Sequence, residues 1–300
     1  MLDRTEHGFG GLMPEPSAPL PVADLIIGQP VEKAAALLPR IFNLCRTAQQ
    51  VAARLAFDLP VAEADHDALH QEILRDHLIK FHLKWPGHFG HPPLPLPQDW
   101  AAGGPSLVAD LFGPLGRMPR SMDEFHAFLT TGPGIAPVLN LIDQSFDSGE
   151  ADTPILHMPD ADCVFVTTAQ ENSVAGRHAG HPVMQAVAAT KGRGPLWRAL
   201  GRAYDLEACL TGALPAWQTP AKGCAIVPAA RGSYAIRAKV EDGTVTAFTR
   251  VTPTDHLLAE GGILAHTLAS LPEAKAGYAP LIMDILDPCS PVRLREVHHA

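Results

Sequence analysis

Apolar residues recur at steps of three and four between residues 39 and 55, which predicts an amphipathic helix. We expect Cys45 to lie on the buried stripe of this helix, whose members are Ile41, Leu44, Cys45, Ala48, Val51, Ala52 and Leu55. A second helix is predicted from about Asp65 to just before Pro86. Gly194-Pro195 opens a third helix, because proline is favoured in a first helical turn.

Two segments have the pattern of β-strands. Residues 160–170 contain the run ADCVFVTT and predict a short strand. Residues 233–251 alternate apolar and polar positions on both sides of Asp242-Gly243, which predicts a β-hairpin. A two-residue turn there pairs Ile236 with Thr249, and it sets Arg231 opposite Thr254 if both strands extend that far.

Composition excludes several classes of protein. Of 300 residues, 46% are apolar, which is enough for a full core, and the net charge of −9 argues against nucleic acid as a partner. No apolar run is long enough to span a bilayer. The N-terminal residues resemble neither a signal peptide nor a transit peptide, and five scattered cysteines fit a reducing compartment. We therefore expect a soluble cytoplasmic protein.

Domain organisation is predicted to be simple. The 25 glycines and 29 prolines imply many turns, and they are dense in the connector at residues 86–120. Residues 1–20 lack periodicity, which predicts a flexible N-terminal arm. Residues 21–300 are expected to form a single domain.

Three motifs in the chain are similar to those of the large subunit of NiFe hydrogenases. RIFNLC at 40–45 resembles R-x-C-x-x-C, with Phe42 in place of the first cysteine and Cys45 kept. LDPC at 286–289 resembles the start of D-P-C-x-x-C-x-x-H, with Cys289 kept and Val292 in place of the second cysteine. Between them, ARG at 230–232 and VTPT at 251–254 resemble the two halves P-R-G and V-x-P-S/T.

Weaker similarities support the same comparison. Glu171 to Arg177 resembles E-x-G-x-x-A-R, and residues 76–90 (DHLIKFHLKWPGHFG) also resemble this family. A half-degenerate set of cysteines on a shortened large-subunit framework is typical of the HupK/HoxV-type hydrogenase maturation proteins. The chain resembles that family over residues 40–292.

The resemblance implies a fold, a cargo and a set of partners. The fold should be α+β, mostly helical and like the hydrogenase large subunit, with a small sheet that includes the hairpin. Cys45 and Cys289 would bind the iron of an Fe(CN)2(CO) group transiently, while Arg231 and Thr254 would face its cyanides. The partners would be a HypC-type chaperone with HypD, and the apo large subunit of a hydrogenase. The protein would be a scaffold without catalytic activity.

The donor types agree with that implication. Soft thiolates suit low-valent iron that carries carbonyl and cyanide. Two cysteines, two cyanides and one carbonyl give iron five ligands, and one position stays open. A nickel ion bound by four thiolates needs two more cysteines, so no stable nickel is expected.

Simpler explanations remain for each residue. Cys45 could be an inert core cysteine, Cys289 a surface thiol, Arg231 a strand anchor and Thr254 a helix cap. Two other functions also remain: a divergent NiFe hydrogenase large subunit, or a cofactor-free docking partner in the maturation complex.

Overall fold

Helices predominate in the computed structural model, which describes residues 12–18, 20–42 and 44–296. The α-helices are α1 (Val22–Ile26), α2 (Val31–Ile41), α3 (Arg46–Ala56), α4 (Glu63–Leu78), α5 (Pro105–Phe112), α6 (Met122–Leu129), α7 (Ala136–Ser145), α8 (Val174–Arg177), α9 (Pro182–Thr190), α10 (Pro195–Thr211), α11 (Pro253–Leu257), α12 (Ile263–Ala269) and α13 (Ala279–Leu286). Helix α4 continues into a π-helix (Ile79–Lys84) and then a 3-10 helix (Trp85–Phe89). Shorter 3-10 helices are Trp100–Ala102, Gly113–Leu115 and Glu273–Tyr278.

Five strands form two antiparallel sheets: β1 (Leu12–Pro16), β2 (Cys224–Ala229), β3 (Gly232–Glu241), β4 (Thr244–Val251) and β5 (Val292–Glu296). Strands β2, β3 and β4 are adjacent in one sheet, and β1 pairs with β5 in the other. Part of the segment expected to be a flexible arm is thus a strand paired to the C-terminal region. Residues 1–11 of that arm lie outside the described residues.

The predicted hairpin is confirmed, but its register is wrong beyond the turn. Val240 pairs with Val245 as expected, whereas a bulge between Lys239 and Val240 shifts the remaining pairs by one residue. Ile236 consequently pairs with Arg250 instead of Thr249. The predicted pairing of Arg231 with Thr254 is also wrong, because β3 begins at Gly232 and Thr254 lies in helix α11. A bulge of this kind is not visible in an alternating pattern.

The core is arranged around α10, in which every residue from Pro195 to Ala208 is buried. Two apolar clusters make up most of the interior, and α4 contributes to both, with Ile73 in one and Leu78 in the other. The two ends of the chain therefore pack on common helices. In the part of the chain described, no helix is long and apolar enough to cross a membrane.

Two predictions about local structure need correction, and two are confirmed. The helices predicted from Asp65 and from Pro195 are present as α4 and α10. The predicted strand at residues 160–170 is wrong: this segment is a series of turns, in which the Asp160 carboxylate accepts the backbone N–H of Asp162 and of Cys163. Such local bonds compete with strand pairing. The prediction of one continuous helix from residue 39 is also wrong, because the helix is interrupted between α2 and α3.

Candidate functional site

Cys45 lies in the break between α2 and α3 and not on a helical stripe. It immediately precedes α3 with φ 50°, a left-handed conformation that is uncommon for residues other than glycine. The Glu72 carboxylate, from α4, accepts the N–H groups of Thr47 and Ala48 and so caps the start of α3. The sulfur is thereby held at the end of a helix by contacts from a neighbouring element.

Cys289 follows the end of α13 and lies in a bend. Asp287, however, is left-handed at φ 52° and not extended, although Pro288 follows it. The hydroxyl of Thr254 accepts the N–H of Cys289 at 2.7 Å and donates to its sulfur at 2.9 Å. Thr252, not Thr254, precedes α11 as its N-cap, so the Thr254 hydroxyl is available to Cys289.

The guanidinium of Arg231 contacts the sulfur of Cys45. Its Nη1 donates to Cys45 Sγ at 3.2 Å and to Asp76 Oδ2 at 3.1 Å, and its Nη2 donates to Asp287 Oδ1 at 3.3 Å. The following Gly232 has φ 145°, and a Cβ there would lie 2.6 Å from the backbone oxygen of Asn172. Glycine is therefore required beside Arg231.

Arg177 holds the turn that carries Arg231. Its Nη2 donates to the carbonyl oxygens of Ala229 at 2.9 Å and of Gly232 at 2.7 Å. Its Nη1 forms a buried ion pair with Asp205 of α10 at 2.8 Å. Arg177 belongs to the weak motif noted at residues 171–177, so that motif marks a residue that positions the site.

A buried network of charges surrounds Arg231. Asp287 forms ion pairs with Arg231, with Lys80 at 2.8 Å and with Arg202 at 3.2 Å. Burial alone would raise the pKa of Asp287, but these three cations lower it to about 2. Asp76 also pairs with Arg231, and Asp284 pairs with Lys80 at 3.4 Å, so the three cations of this cluster are matched by three carboxylates.

Cys45 and Cys289 line one cavity of about 230 Å³. Arg231, Tyr234 and Gln49 also line it. The Tyr234 hydroxyl and Gln49 Oε1 are buried and have no hydrogen-bond partner among the described residues. A buried polar atom without a partner is costly, so this cavity is suited to a polar group that supplies the missing contacts.

The two positions where cysteine is replaced differ in location. Phe42 lines the cavity, and the guanidinium of Arg250 lies 4.2 Å from the centre of its ring. Val292 lies in β5, opposite Pro16, and is not among the residues that line the cavity. The ring of Phe42 thus lies at the cavity in place of one cysteine, whereas Val292, in place of the other, lies in the sheet of β1 and β5.

Several residues of this network are not identified by sequence reasoning. Asp76 and Lys80 fall within the segment 76–90 that resembles the family, one helical turn apart, and this spacing is the signal that could have identified them. Tyr234 is part of the alternating hairpin pattern and reads as a core residue. His77 is a buried core residue that is hydrogen-bonded to Asp205 and Arg202.

We expect the thiol of Cys45 to be an unusually weak acid. Burial raises the pKa of Cys45 to about 12, because the loss of water outweighs the attraction of Arg231. Since the thiolate is the reactive form, its alkylation by iodoacetamide should rise about tenfold per pH unit beyond about pH 9, where an ordinary thiol approaches a plateau. Mass spectrometry of the Cys45 peptide measures this rate. N-acetylcysteine is the reference, and a plateau at the same pH in both would contradict the prediction.

The fold is that of a hydrogenase large subunit. The structure of the Ni-Fe-Se hydrogenase from D. vulgaris Hildenborough in the as-isolated oxidized state superposes with a TM-score of 0.55, covering 96% of this chain and 97% of that chain at 13% identity. The reduced state of that enzyme superposes with a TM-score of 0.51. The α+β fold expected from the motifs is therefore confirmed.

Proteins related in sequence identify the family more specifically than the fold does. The hydrogenase expression/formation protein HupK of Rhodobacter capsulatus is 51% identical over 95% of this chain and 93% of its own length. HupV of Azotobacter chroococcum mcd 1, also a hydrogenase expression/formation protein, is 24% identical over 91% of this chain and 90% of its own. No family model matches the sequence. The chain belongs to the HupK family of hydrogenase expression/formation proteins.

Proposed function

We propose that this chain is a non-catalytic scaffold that carries an Fe(CN)2(CO) group during assembly of the large subunit of a NiFe hydrogenase. The observation that carries the proposal is that Cys45 and Cys289, from opposite ends of the chain, line the same cavity. Each sulfur already has a polar partner, Arg231 for the first and Thr254 for the second. The names of the relatives support a role in hydrogenase formation.

The chemistry of the cavity fits this cargo. Two thiolates, two cyanides and a carbonyl give iron five ligands, and soft sulfur donors suit iron in this state. Cyanide nitrogens are anionic acceptors that need donors when buried. Arg231 supplies a fixed positive charge, and the hydroxyl of Tyr234 adds a donor. The single hydroxyl proton of Thr254, which is donated to the Cys289 sulfur in the cargo-free protein, would turn to a cyanide once that sulfur binds iron. The unpartnered hydroxyl of Tyr234 would gain an acceptor when the cargo enters.

The same cavity is poorly suited to a resident nickel ion. Four thiolates would be needed, and the described lining supplies two, with Phe42 in the place of a third. A group that is held by two sulfurs and leaves one iron position open is easier to pass on than one enclosed by four. This favours a carrier over a divergent hydrogenase.

The mouth of the cavity provides a surface for delivery and collection. Phe42, Leu44 and Pro291 line it, and Leu44 is 38% exposed despite its apolar side chain. We propose that a HypC-type chaperone with HypD brings the iron group to this rim in the cytoplasm. The apo large subunit would then receive the group there.

Infrared spectroscopy tests the proposal. Protein purified without oxygen from a host that makes a NiFe hydrogenase should show stretching bands of metal-bound cyanide and carbonyl. Cys45→Ala and Cys289→Ala should each lose these bands, because one sulfur cannot hold the iron against transfer. Cys224→Ala is the matched control, since Cys224 is a buried cysteine of β2 outside the cavity.

Two results would contradict the proposal. One is wild-type protein that lacks the bands although the hydrogenase of the host matures. The other is a pair of cysteine variants that mature hydrogenase as well as the wild type does. The second result would favour a docking partner that carries no iron group.

A further inference from the structure

Three side chains of different chemistry meet in a loop that includes the start of the segment 160–170 predicted as a strand. His157, Asp160 and Cys163 each place one ligand atom within 4.8 Å of the other two. The Cys163 sulfur lies 3.7 Å from His157 Nδ1. This is the single such group of histidine, cysteine and acidic residues within the described ranges. None of these residues lines the cavity of Cys45 and Cys289.

We propose that His157, Asp160 and Cys163 bind a divalent transition-metal ion of the zinc type. Metal–sulfur and metal–nitrogen bonds of ~2.3 and ~2.05 Å at a tetrahedral angle place sulfur and nitrogen roughly 3.6 Å apart. The observed separation of 3.7 Å therefore needs almost no adjustment. Thiolate, imidazole and carboxylate together favour ions such as Zn²⁺ and Co²⁺ over Mg²⁺ or Ca²⁺. A water molecule would occupy the fourth position.

Hydrogen bonds from a buried side chain fix the backbone of the loop that carries these three residues. Gln170 is buried, and its Nε2 donates to the carbonyl oxygens of Cys163 at 3.0 Å and of Val166 at 2.7 Å. His157 and Asp160 are exposed at the surface, so an ion can enter from solvent. Because these hydrogen bonds already order the loop, it loses little conformational entropy when its exposed side chains bind an ion.

The same loop is connected to the helix that carries Thr254. His256 of α11 bonds through Nε2 to the carbonyl oxygen of Val166 at 3.1 Å, and its Nδ1 bonds to Asn172 at 3.0 Å. Asn172 in turn bonds to the backbone of Ser233 at the start of β3. An ion at His157, Asp160 and Cys163 would therefore stabilise the loop against which α11 and β3 pack.

Titration of the purified full-length chain with Co²⁺ tests the site. We expect a thiolate-to-cobalt absorption band that saturates at one equivalent, and a rise in the unfolding temperature, because the ion binds the folded state. Cys163→Ser should abolish the band and the rise. Asp160→Asn keeps an acceptor for the turn but loses the charge, and should weaken binding at least tenfold.

A second set of variants separates this site from the cargo cavity. The double variant Cys45→Ala/Cys289→Ala should keep the band, and Cys224→Ala should behave as wild type. Circular dichroism checks that each variant is folded. The proposal is overturned if wild type gives no thiolate band, or if the band survives in Cys163→Ser. Neither result bears on whether the cavity carries an iron group.

Discussion

Replacing Asp205 by alanine is expected to lower the free energy of unfolding by about 3 to 5 kcal/mol. Asp205 is fully buried on α10 and accepts hydrogen bonds from His77 of α4, from Arg177 of α8 and from the adjoining His178. Its removal leaves the guanidinium of Arg177 without its buried counter-ion. The loss is large because a buried charge without a partner cannot recover its hydration.

Equilibrium unfolding in urea measures this loss. Asp143→Ala is the matched control, because Asp143 pairs with Lys191 at the same 2.8 Å but both side chains are partly exposed. That control should lose no more than about 1 kcal/mol. Equal losses in the two variants would show that the Asp205 network does not stabilise the fold as described. Because Arg177 also holds Ala229 and Gly232, we expect Asp205→Ala to disorder the turn of Arg231 as well.

Arg231→Met is expected to reduce the amount of bound iron group at least tenfold. Methionine keeps much of the side-chain volume but removes the charge and every donor. Hydrogen bonds to charged groups contribute about 1.5 to 3 kcal/mol each, which corresponds to a tenfold or greater change in binding. Asp287 keeps Lys80 and Arg202 as partners, so the local structure retains two of its cations.

Two quantities are measured: the intensity of the infrared bands relative to protein concentration, and the frequencies of those bands. Arg231→Lys should retain part of the occupancy, because lysine keeps the charge but lacks the planar set of donors. Tyr234→Phe removes a hydroxyl that has no partner in the cargo-free protein, so the fold should be unaffected. It should lower occupancy less than Arg231→Met does, because it removes one donor and no charge. Full occupancy with unshifted cyanide bands in Arg231→Met would rule out its contact with cyanide.

Much of the framework follows from the sequence. The hairpin at 233–251, helices α4 and α10, and the α+β class are all predicted from periodicity, turn residues and motifs. Cys45, Arg231, Thr254 and Cys289 are selected by the motifs, and the structure brings them to one cavity or its immediate border. The hairpin and the two helices depend on short stretches of chain, in which local preference and hydrophobic spacing are sufficient. The fold class and the four site residues follow from the resemblance to the hydrogenase family.

Other features depend on contacts between distant segments. The break before Cys45 is held by Glu72 of another helix. Arg231 lies in the turn between β2 and β3, because Ala229 pairs with Gly232. The left-handed Asp287 is held by cations from three separate elements.

The sequence by itself determined the fold class, the family and the four residues of the candidate cargo site. Only the tertiary structure decided how their side chains are held, since buried charges take whichever partners the packed fold brings within reach. It also decided the cluster of His157, Asp160 and Cys163. Their spacing gives no helical or strand pattern, and the ligand atoms converge because Asp160 and Gln170 fold the loop into turns.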